Sequence, residues 1–350
     1  MSKKQTHILV IRLSAMGDVA MTVPILRQLT IQYPDVKLTV LTRKFFTPFF
    51  RDLDNVSVHE ADVKGKHKGV FGLYKLSKEL KKLRFDAVAD LHNVLRSNIL
   101  KLLLKSKNCI QVDKGRSEKK ALITGKSVKQ LKTTHQRYAD VFAKLGYPLE
   151  LNAHRFPNPI TLKKHIKSII GDTNKPLIGI APFAAFKSKS YSVKQMQEAI
   201  KSLSATNTIL LFGGGENEIK ILNKLASSNS NTISLAGRLS LSDELDVISN
   251  LNVMISMDSG NAHIAAMLGV EVITIWGVTH PFAGFYPFNQ HPDNALLANK
   301  AQFPLIPTSI YGNNFPEGYE NAINSITPQQ IVSKANFVLQ KALHKGAKQH

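Results

Sequence analysis

Twice along this chain, short apolar runs alternate with stretches of helical period, and a stretch bearing two prolines, Leu149–Pro159, separates the two series. Few folds accommodate that pattern. Consecutive strands joined by helices must run parallel, and the helices then cover both faces of an open sheet. The fold class is therefore α/β, built twice. In the first series His7–Leu13, Val36–Thr42, Asp86–Leu91 and a short run near Cys109–Val112 read as strands. Val19–Ile31, Val70–Leu83, Val94–Leu104 and Thr134–Leu145 read as helices, the last stopped by Gly146-Tyr147-Pro148. In the second series the strands are Leu177–Pro182, Thr208–Phe212, Thr232–Leu235, Asn252–Met257 and Glu271–Trp276. Its helices are Ser192–Ser202, Glu216–Ala226, Ser240–Asn250 and a short one from Ala262. Thr327-Pro328 supplies an N-cap and a first-turn proline for a last helix toward Leu343, with the tail from His344 expected to lack structure. Lys114–Leu131 has little periodicity and is expected to be a mobile loop; residues 280–325 are expected to be mostly irregular. With 350 residues the chain exceeds what one core usually supports, and two domains follow.

Open parallel sheets bind ligands outside the carboxyl ends of their strands. Two such sheets facing one another would place a cleft between their loop ends. Polar residues just after strands are accordingly the candidates. The stretch Met254–Gly269 turns from an apolar strand through Asp258-Ser259-Gly260-Asn261 into a helix, which leaves backbone N–H groups and a helix dipole aimed at an anion. Gly260 permits close approach, and Asp258 and His263 stand at the mouth of the turn. An ordinary junction with an N-cap aspartate and a packed histidine fits this stretch equally well. Asp18, after the first strand, is either an N-cap or a general base for a hydroxyl. Glu216 follows Gly213-Gly214-Gly215 and can accept both hydroxyls of a ribose, or simply sit in a helix's first turn. Lys187 and Lys189 can pair with a diphosphate or be solvated loop lysines, and Trp276–Pro281 can form another wall of a pocket.

The chain carries a formal net charge of +21. Residues 1–150 hold 29 Lys/Arg against 13 Asp/Glu, and the densest block, 101–137, holds 11 against 2. The first half should attract an anionic partner, unless the block is only a lysine-rich solvated surface. Nucleic acid is disfavoured, because no aromatic platform interrupts that block before Tyr138. The one cysteine, Cys109, allows no internal disulfide. The scattered histidines show no metal-ligand spacing, and no metal or cofactor is expected. There is no GxGxxG after the first strand, no P-loop and no GxSxG elbow, which weakens dehydrogenase, ATPase and serine-hydrolase readings. No apolar run approaches the ~18 residues of a membrane helix, and the N-terminus does not read as a signal peptide, so the expected location is cytoplasmic.

Taken together, four segments resemble glycosyltransferase family 9, the ADP-heptose:lipopolysaccharide heptosyltransferases. They are IRLSAMGDVAMTVP at Ile11–Pro24, KSYS at Lys189–Ser192, FGGGENE at Phe212–Glu218, and DSGNAHIAA at Asp258–Ala266 running on to ITIWGVTHP. The resemblance implies a GT-B fold, two Rossmann-like parallel-sheet domains facing a cleft. It implies an N-terminal acceptor domain over 1–155, a nucleotide-sugar domain over 156–326, and a last helix over 327–345 that crosses back to the first domain. It also implies inverting, metal-independent transfer of heptose from ADP-heptose to a lipopolysaccharide inner-core acceptor. By position, Asp18 matches the family's proposed base, Lys189 the lysine at the donor phosphates, and Glu216 the ribose-binding glutamate. Leu239 falls where backbone groups meet adenine. Asp258 matches the carboxylate near the sugar, Ser259-Gly260 the phosphate cradle, and His263 the histidine of that motif. Ala184-Ala185 stand where members can carry hydroxyl residues near the phosphates, so donor contacts are either reduced or supplied by Ser188, and Phe303–Glu320 matches no motif of the family. The basic stretch 114–131 is expected to meet phosphorylated lipid A–core or the anionic inner face of the inner membrane. The alternatives are a GT-B transferase for another nucleotide sugar, and a non-catalytic nucleotide-sugar or anion-binding protein.

Overall fold

A computed structural model describes residues 5–346. The chain forms two compact units, Met1–Gly115 with Lys132–Phe156, and Arg116–Leu131 with Pro157–His350. The expected linker thus divides at Phe156/Pro157, and the basic stretch belongs to the second unit rather than the first.

The chain begins with strand β1 (Thr6–Ile11), helices α1 (Met16–Ala20) and α2 (Thr22–Gln32), and strands β2 (Val36–Thr42) and β3 (Val56–Glu60). Helix α3 (Gly69–Lys81), β4 (Ala87–Asp90), α4 (Leu95–Leu104), β5 (Cys109–Gln111), α5 (Arg116–Ile123) and α6 (Thr134–Lys144) follow. All five strands pair in parallel in the order β3-β2-β1-β4-β5. The chain order reverses between β1 and β4. One face of the sheet is covered by α3 and α4, whose Leu73, Leu76, Leu80, Leu100 and Leu104 pack on Leu9, Ile11 and Val88.

The single helix expected over Val19–Ile31 is two helices broken at Met21. Pro24 explains the break. It falls in the first turn of α2, where its missing N–H has no partner to lose. Strand β3, unforeseen, is a half-buried edge strand whose apolar alternation is only two valines long.

The second unit adds α7 (Lys164–Ile170), β6 (Leu177–Ala181), α8 (Val193–Leu203), β7 (Thr208–Leu211), α9 (Glu216–Ser227) and β8 (Thr232–Ser234). It continues with α10 (Leu241–Ile248), β9 (Val253–Met257), α11 (Gly260–Met267), β10 (Val272–Trp276), β11 (Ala295–Leu297) and α12 (Pro328–Gly346). Its six parallel strands run β11-β10-β9-β6-β7-β8, reversing between β6 and β9. Thr327 caps α12, its hydroxyl accepting from Gln330 N at 3.2 Å. Ile331, Ala335 and Val338 of α12 join the core of this second unit with Met196 and Ile200 of α8. Helix α12 continues to Gly346, so the tail expected from His344 to lack structure is helical at its start; the rest lies outside the described residues.

Lys114–Leu131 is not a structureless loop. It contains α5, which tertiary contacts fasten: Leu122 and Leu131 are buried with Ala283 beside Phe282, Phe285 and Ile310. Lys119 lies 4.0 Å over the Phe285 ring and Leu131 N donates to Phe282 O at 2.9 Å. A segment this polar offers few apolar positions to read, and its partners are ~150 residues away in sequence, which is why local periodicity misses it. Among the described residues no helix is long and apolar enough to cross a membrane.

Candidate functional site

In both units the charged groups gather where the strand order reverses, the position at which open α/β sheets hold ligands. In the first unit, β1 leads through Arg12 and Ser14 into α1, and the neighbouring β4 leads into Leu91-His92. Asp18 is the third residue of α1, not its N-cap; Ala15 occupies that position and donates its N–H to Asp18 Oδ2 at 3.2 Å. The buried Arg12 reaches the same Oδ2 with Nη2 at 2.6 Å and holds the Leu91 carbonyl with Nη1 at 2.7 Å. Asp18 remains partly exposed, so an anchored carboxylate meets solvent at the sheet's carboxyl edge.

Around this pair lie groups that motif reading passed over. Asp90 is fully buried, accepts the His92 and Asn93 amides, and is met by Gln111 and Lys101. His92 Nε2 is 3.4 Å from Ser14 Oγ. Burial, and then the charge of Arg12, pull the His92 pKa down to about 4, so the ring is neutral near pH 7. Tyr138 sits beneath Arg12, whose guanidinium carbon is 5.9 Å from its ring centroid, and burial pushes the phenol's pKa upward. The signal for His92 was available: it follows a strand in DLHN, just as Asp18 follows one.

In the second unit, the first strand to either side of the reversal supplies one half of an ion pair. Lys189, in a short 3-10 turn after β6, places Nζ 2.8 Å from Asp258 Oδ2, after β9. Thr279, after β10 and fully buried, donates its hydroxyl to that oxygen at 2.9 Å. Asp258 is therefore not a cap. Ser259 holds the N-cap position of α11 without a side-chain cap bond, its Oγ lying 3.0 Å from Ser256 Oγ. Gly260 opens α11, two residues earlier than the expected Ala262, so the first-turn N–H groups emerge beside Asp258. His263 lies one turn further and is buried.

Glu216 opens α9 after β7 and is exposed, while Glu218 accepts the Gly214 N–H at 2.9 Å. Leu239, half-buried, follows β8 in a turn whose Gly237 packs within 2.9 Å, by an imagined Cβ, of Ile219 on α9. Asp258, Lys189, Glu216 and Leu239 thus line the carboxyl edge after the consecutive strands β9, β6, β7 and β8.

Two further features brace the ion pair. At Gly312, with φ +86°, a Cβ would stand 2.5 Å from Lys189 Cδ and 2.7 Å from its Cγ. At Gly277 a Cβ would stand 2.4 Å from Ser188 O. The segment Phe303–Glu320, which matched no motif, therefore runs against the stem of Lys189, anchored by Phe303, Ile306, Phe315 and Tyr319 packing on Val278 and Ala322. Ser188, expected as a substitute hydroxyl for phosphate, is buried and donates to Gly312 O at 2.5 Å. Its proton is committed to the brace. His280, after β10, accepts the Phe282 N–H on Nδ1 at 3.1 Å, and burial followed by the Lys300 charge lowers its pKa to about 4.

Two units, each an open parallel α/β sheet with charged residues at its strand reversal, have the architecture of the GT-B fold. The crystal structure of a glycosyl transferase family 9 protein from Veillonella parvula superposes with a TM-score of 0.76 at 18% identity, covering 97% of this chain and 99% of that one. The E. coli ADP-heptose LPS heptosyltransferase II structure gives 0.69 at 20%, covering 96% and 99%. A family model for glycosyltransferase family 9 (heptosyltransferase) matches residues 73–303, and the chain belongs to that family. It is a glycosyltransferase. Among curated relatives, lipooligosaccharide heptosyltransferase 2 of Haemophilus influenzae is 26% identical over 360 residues, spanning 96% of this chain and all of the relative.

Proposed function

We propose that this protein transfers heptose from ADP-heptose to a lipopolysaccharide-core acceptor, with inversion and without a metal ion. The observation that carries the reading is the Lys189–Asp258 pair beside the N-terminus of α11 at the strand reversal. A lysine ammonium and a helix N-terminus can together stabilise a departing diphosphate where no metal ion does so. In this reading the diphosphate takes over Lys189, which frees Asp258 toward the transferred sugar while Thr279 keeps its carboxylate oriented. Ser259 and Gly260 give backbone N–H groups to phosphate, and His263 supports that turn. Glu216 accepts the ribose hydroxyls, and the turn at Leu239 meets adenine.

The second unit is the donor side and the first the acceptor side. Asp18 removes the proton of the acceptor hydroxyl as its oxygen bonds to the anomeric carbon. The bond from that carbon to the ADP oxygen breaks, ADP leaves with the electron pair, and the proton stays on Asp18. Arg12 and the Ala15 amide fix the carboxylate without occupying the substrate position. The reading places the protein on the cytoplasmic side of the inner membrane, where a lipid-linked acceptor is presented.

The test is turnover with purified acceptor and ADP-heptose in the presence of EDTA. Wild type is expected to be active and to give a product of inverted anomeric configuration by NMR. Asp18→Ala and Asp18→Asn are expected to lose about 10²–10⁴-fold in kcat while binding ADP normally. Wild-type turnover by either variant removes Asp18 as the base. Thermal shift with UDP- or GDP-sugars but not ADP would replace the donor.

A further inference from the structure

The first two turns of α3 and the start of α4 carry large apolar side chains that stand open to solvent. Phe71 is 92% exposed, Leu95 77%, Val70 61% and Tyr74 50%. Helices α3 and α4 pack side by side and both run antiparallel to the strands, so these first turns share the carboxyl edge of the sheet with Asp18. Soluble surfaces seldom leave a phenylalanine so open, and four such residues at one edge mark an interaction site.

This exposure does not come from a loose segment. Loop 61–68 is tied: Asp62 accepts the Gly65 and Lys66 amides, His67 Nδ1 accepts the Asp62 amide, and Glu79 pairs with Lys66 at 2.7 Å and with His67 at 3.2 Å. A Cβ on Gly72 would stand 2.3 Å from the His67 carbonyl carbon, so the loop lies directly on the helix start. The aromatic face is held outward by a rigid support.

The charges around the patch select the partner. Lys64, Lys68, Lys75 and Arg96 are exposed beside it, whereas the nearby acids Asp62 and Glu79 are already engaged. Lys78 folds over the Tyr74 ring at 4.5 Å. Protein–protein interfaces are depleted in lysine, while an apolar centre ringed by lysine and arginine is the composition of a helix face lying in an anionic lipid interface. We propose that the N-terminal ends of α3 and α4 dock on an anionic bilayer surface, with Val70, Phe71, Tyr74 and Leu95 entering the interface and Lys64, Lys68, Lys75 and Arg96 meeting lipid phosphates. The lipid-linked acceptor of the preceding reading gives this contact its purpose. It also moves the membrane contact away from 114–131, where α5 is folded into the second unit and Lys119 is buried.

Co-sedimentation with vesicles of phosphatidylglycerol and phosphatidylcholine tests it in the full chain. Wild type is expected to bind anionic vesicles, to bind pure phosphatidylcholine weakly, and to release as salt rises. Val70→Asn with Phe71→Asp is expected to lose about tenfold or more in vesicle affinity. Its thermal shift with ADP should stay unchanged, which separates the surface from the donor site and from misfolding. Phe71→Trp should blue-shift its emission on vesicles, the native Trp276 being buried. Lys120→Glu with Lys126→Glu and Lys129→Glu should keep most binding. Wild-type failure to bind vesicles, full binding by the Val70/Phe71 variant, or loss confined to the Lys120/Lys126/Lys129 variant overturns the proposal. So does a wild-type dimer that the Phe71 variant splits without changing vesicle affinity. Absence of an ADP response in wild type would instead count against the donor reading alone.

Discussion

Replacing Gly312 with alanine tests whether segment 303–320 serves the donor site through Lys189. Two costs arise and they are separable. At φ +86° an alanine Cβ costs about 1–2 kcal/mol of backbone strain. That lowers the melting temperature by roughly 2–8 °C for a unit of this size. The second cost is local. The Cβ would lie 2.5 Å from Lys189 Cδ and 3.2 Å from Ser188 Oγ, so the flexible lysine stem must move by about an ångström. A displacement of that size takes Nζ out of its 2.8 Å contact with Asp258 and away from where a diphosphate would sit. A charge-assisted contact is worth about 1.5–3 kcal/mol, so ADP affinity should fall by roughly 10–100-fold. Gly318 is the control. Its φ is +81° and nothing lies within 4 Å of an added Cβ, so Gly318→Ala carries the strain without the collision. Calorimetric titration with ADP on both variants decides the matter. If Gly312→Ala binds ADP as tightly as Gly318→Ala, the segment does not position Lys189 and the bracing argument fails.

Thr279→Val should destabilise the second unit by about 1–2 kcal/mol in urea unfolding, because the buried Asp258 oxygen loses a donor, and Thr279→Ser should restore most of it. Glu216→Gln, at an exposed position, should leave stability within about 0.5 kcal/mol while weakening ADP several-fold more than 2′-deoxy-ADP, measured by competitive titration. The folded pKa of His92 is about 4, below the ordinary 6.5, so on acidification the unfolded chain takes up this proton first. Its stabilising contribution is complete above pH 6.5 and is lost between 6.5 and 4, amounting to about 2 kcal/mol at pH 5. His92→Gln should therefore flatten the pH dependence of the urea midpoint by that amount relative to wild type.

Both sheets were legible because their strands are apolar on both faces. The burial of every residue in β4, β7, β9 and β10 is what makes those runs stand out as mostly apolar stretches, each holding one buried polar residue. The placement of Asp18, Lys189, Glu216 and Asp258 just beyond strand ends was legible for a related reason: once the strands are placed in a sequence, so are the residues that follow their carboxyl ends. Strand β3, with only two apolar positions, and α7, with Ile166 and Ile170 alone as its buried contacts, gave no such signal.

The strand order was not legible, and it decides what these residues touch. Adjacency of β6 and β9 turns Lys189 and Asp258 from two separate loop residues into one ion pair. In the same way, adjacency of β1 and β4 brings the Leu91 carbonyl to Arg12, and through Arg12 to Asp18. Neither partner of these contacts announces the other by spacing, since 69 positions separate Lys189 from Asp258. Gly312 shows the same limit more sharply. Its function is to have no side chain where the stem of Lys189 passes, and an absent atom has meaning only once its neighbours are in place. Thr279 follows the same logic: in ITIWGVTHP it reads as one loop hydroxyl among many, and only the return of β10 beside β9 makes it the donor that orients Asp258. Candidate residues can thus be read strand end by strand end, but the ion pairs and hydrogen bonds that hold each carboxylate belong to pairs of strands.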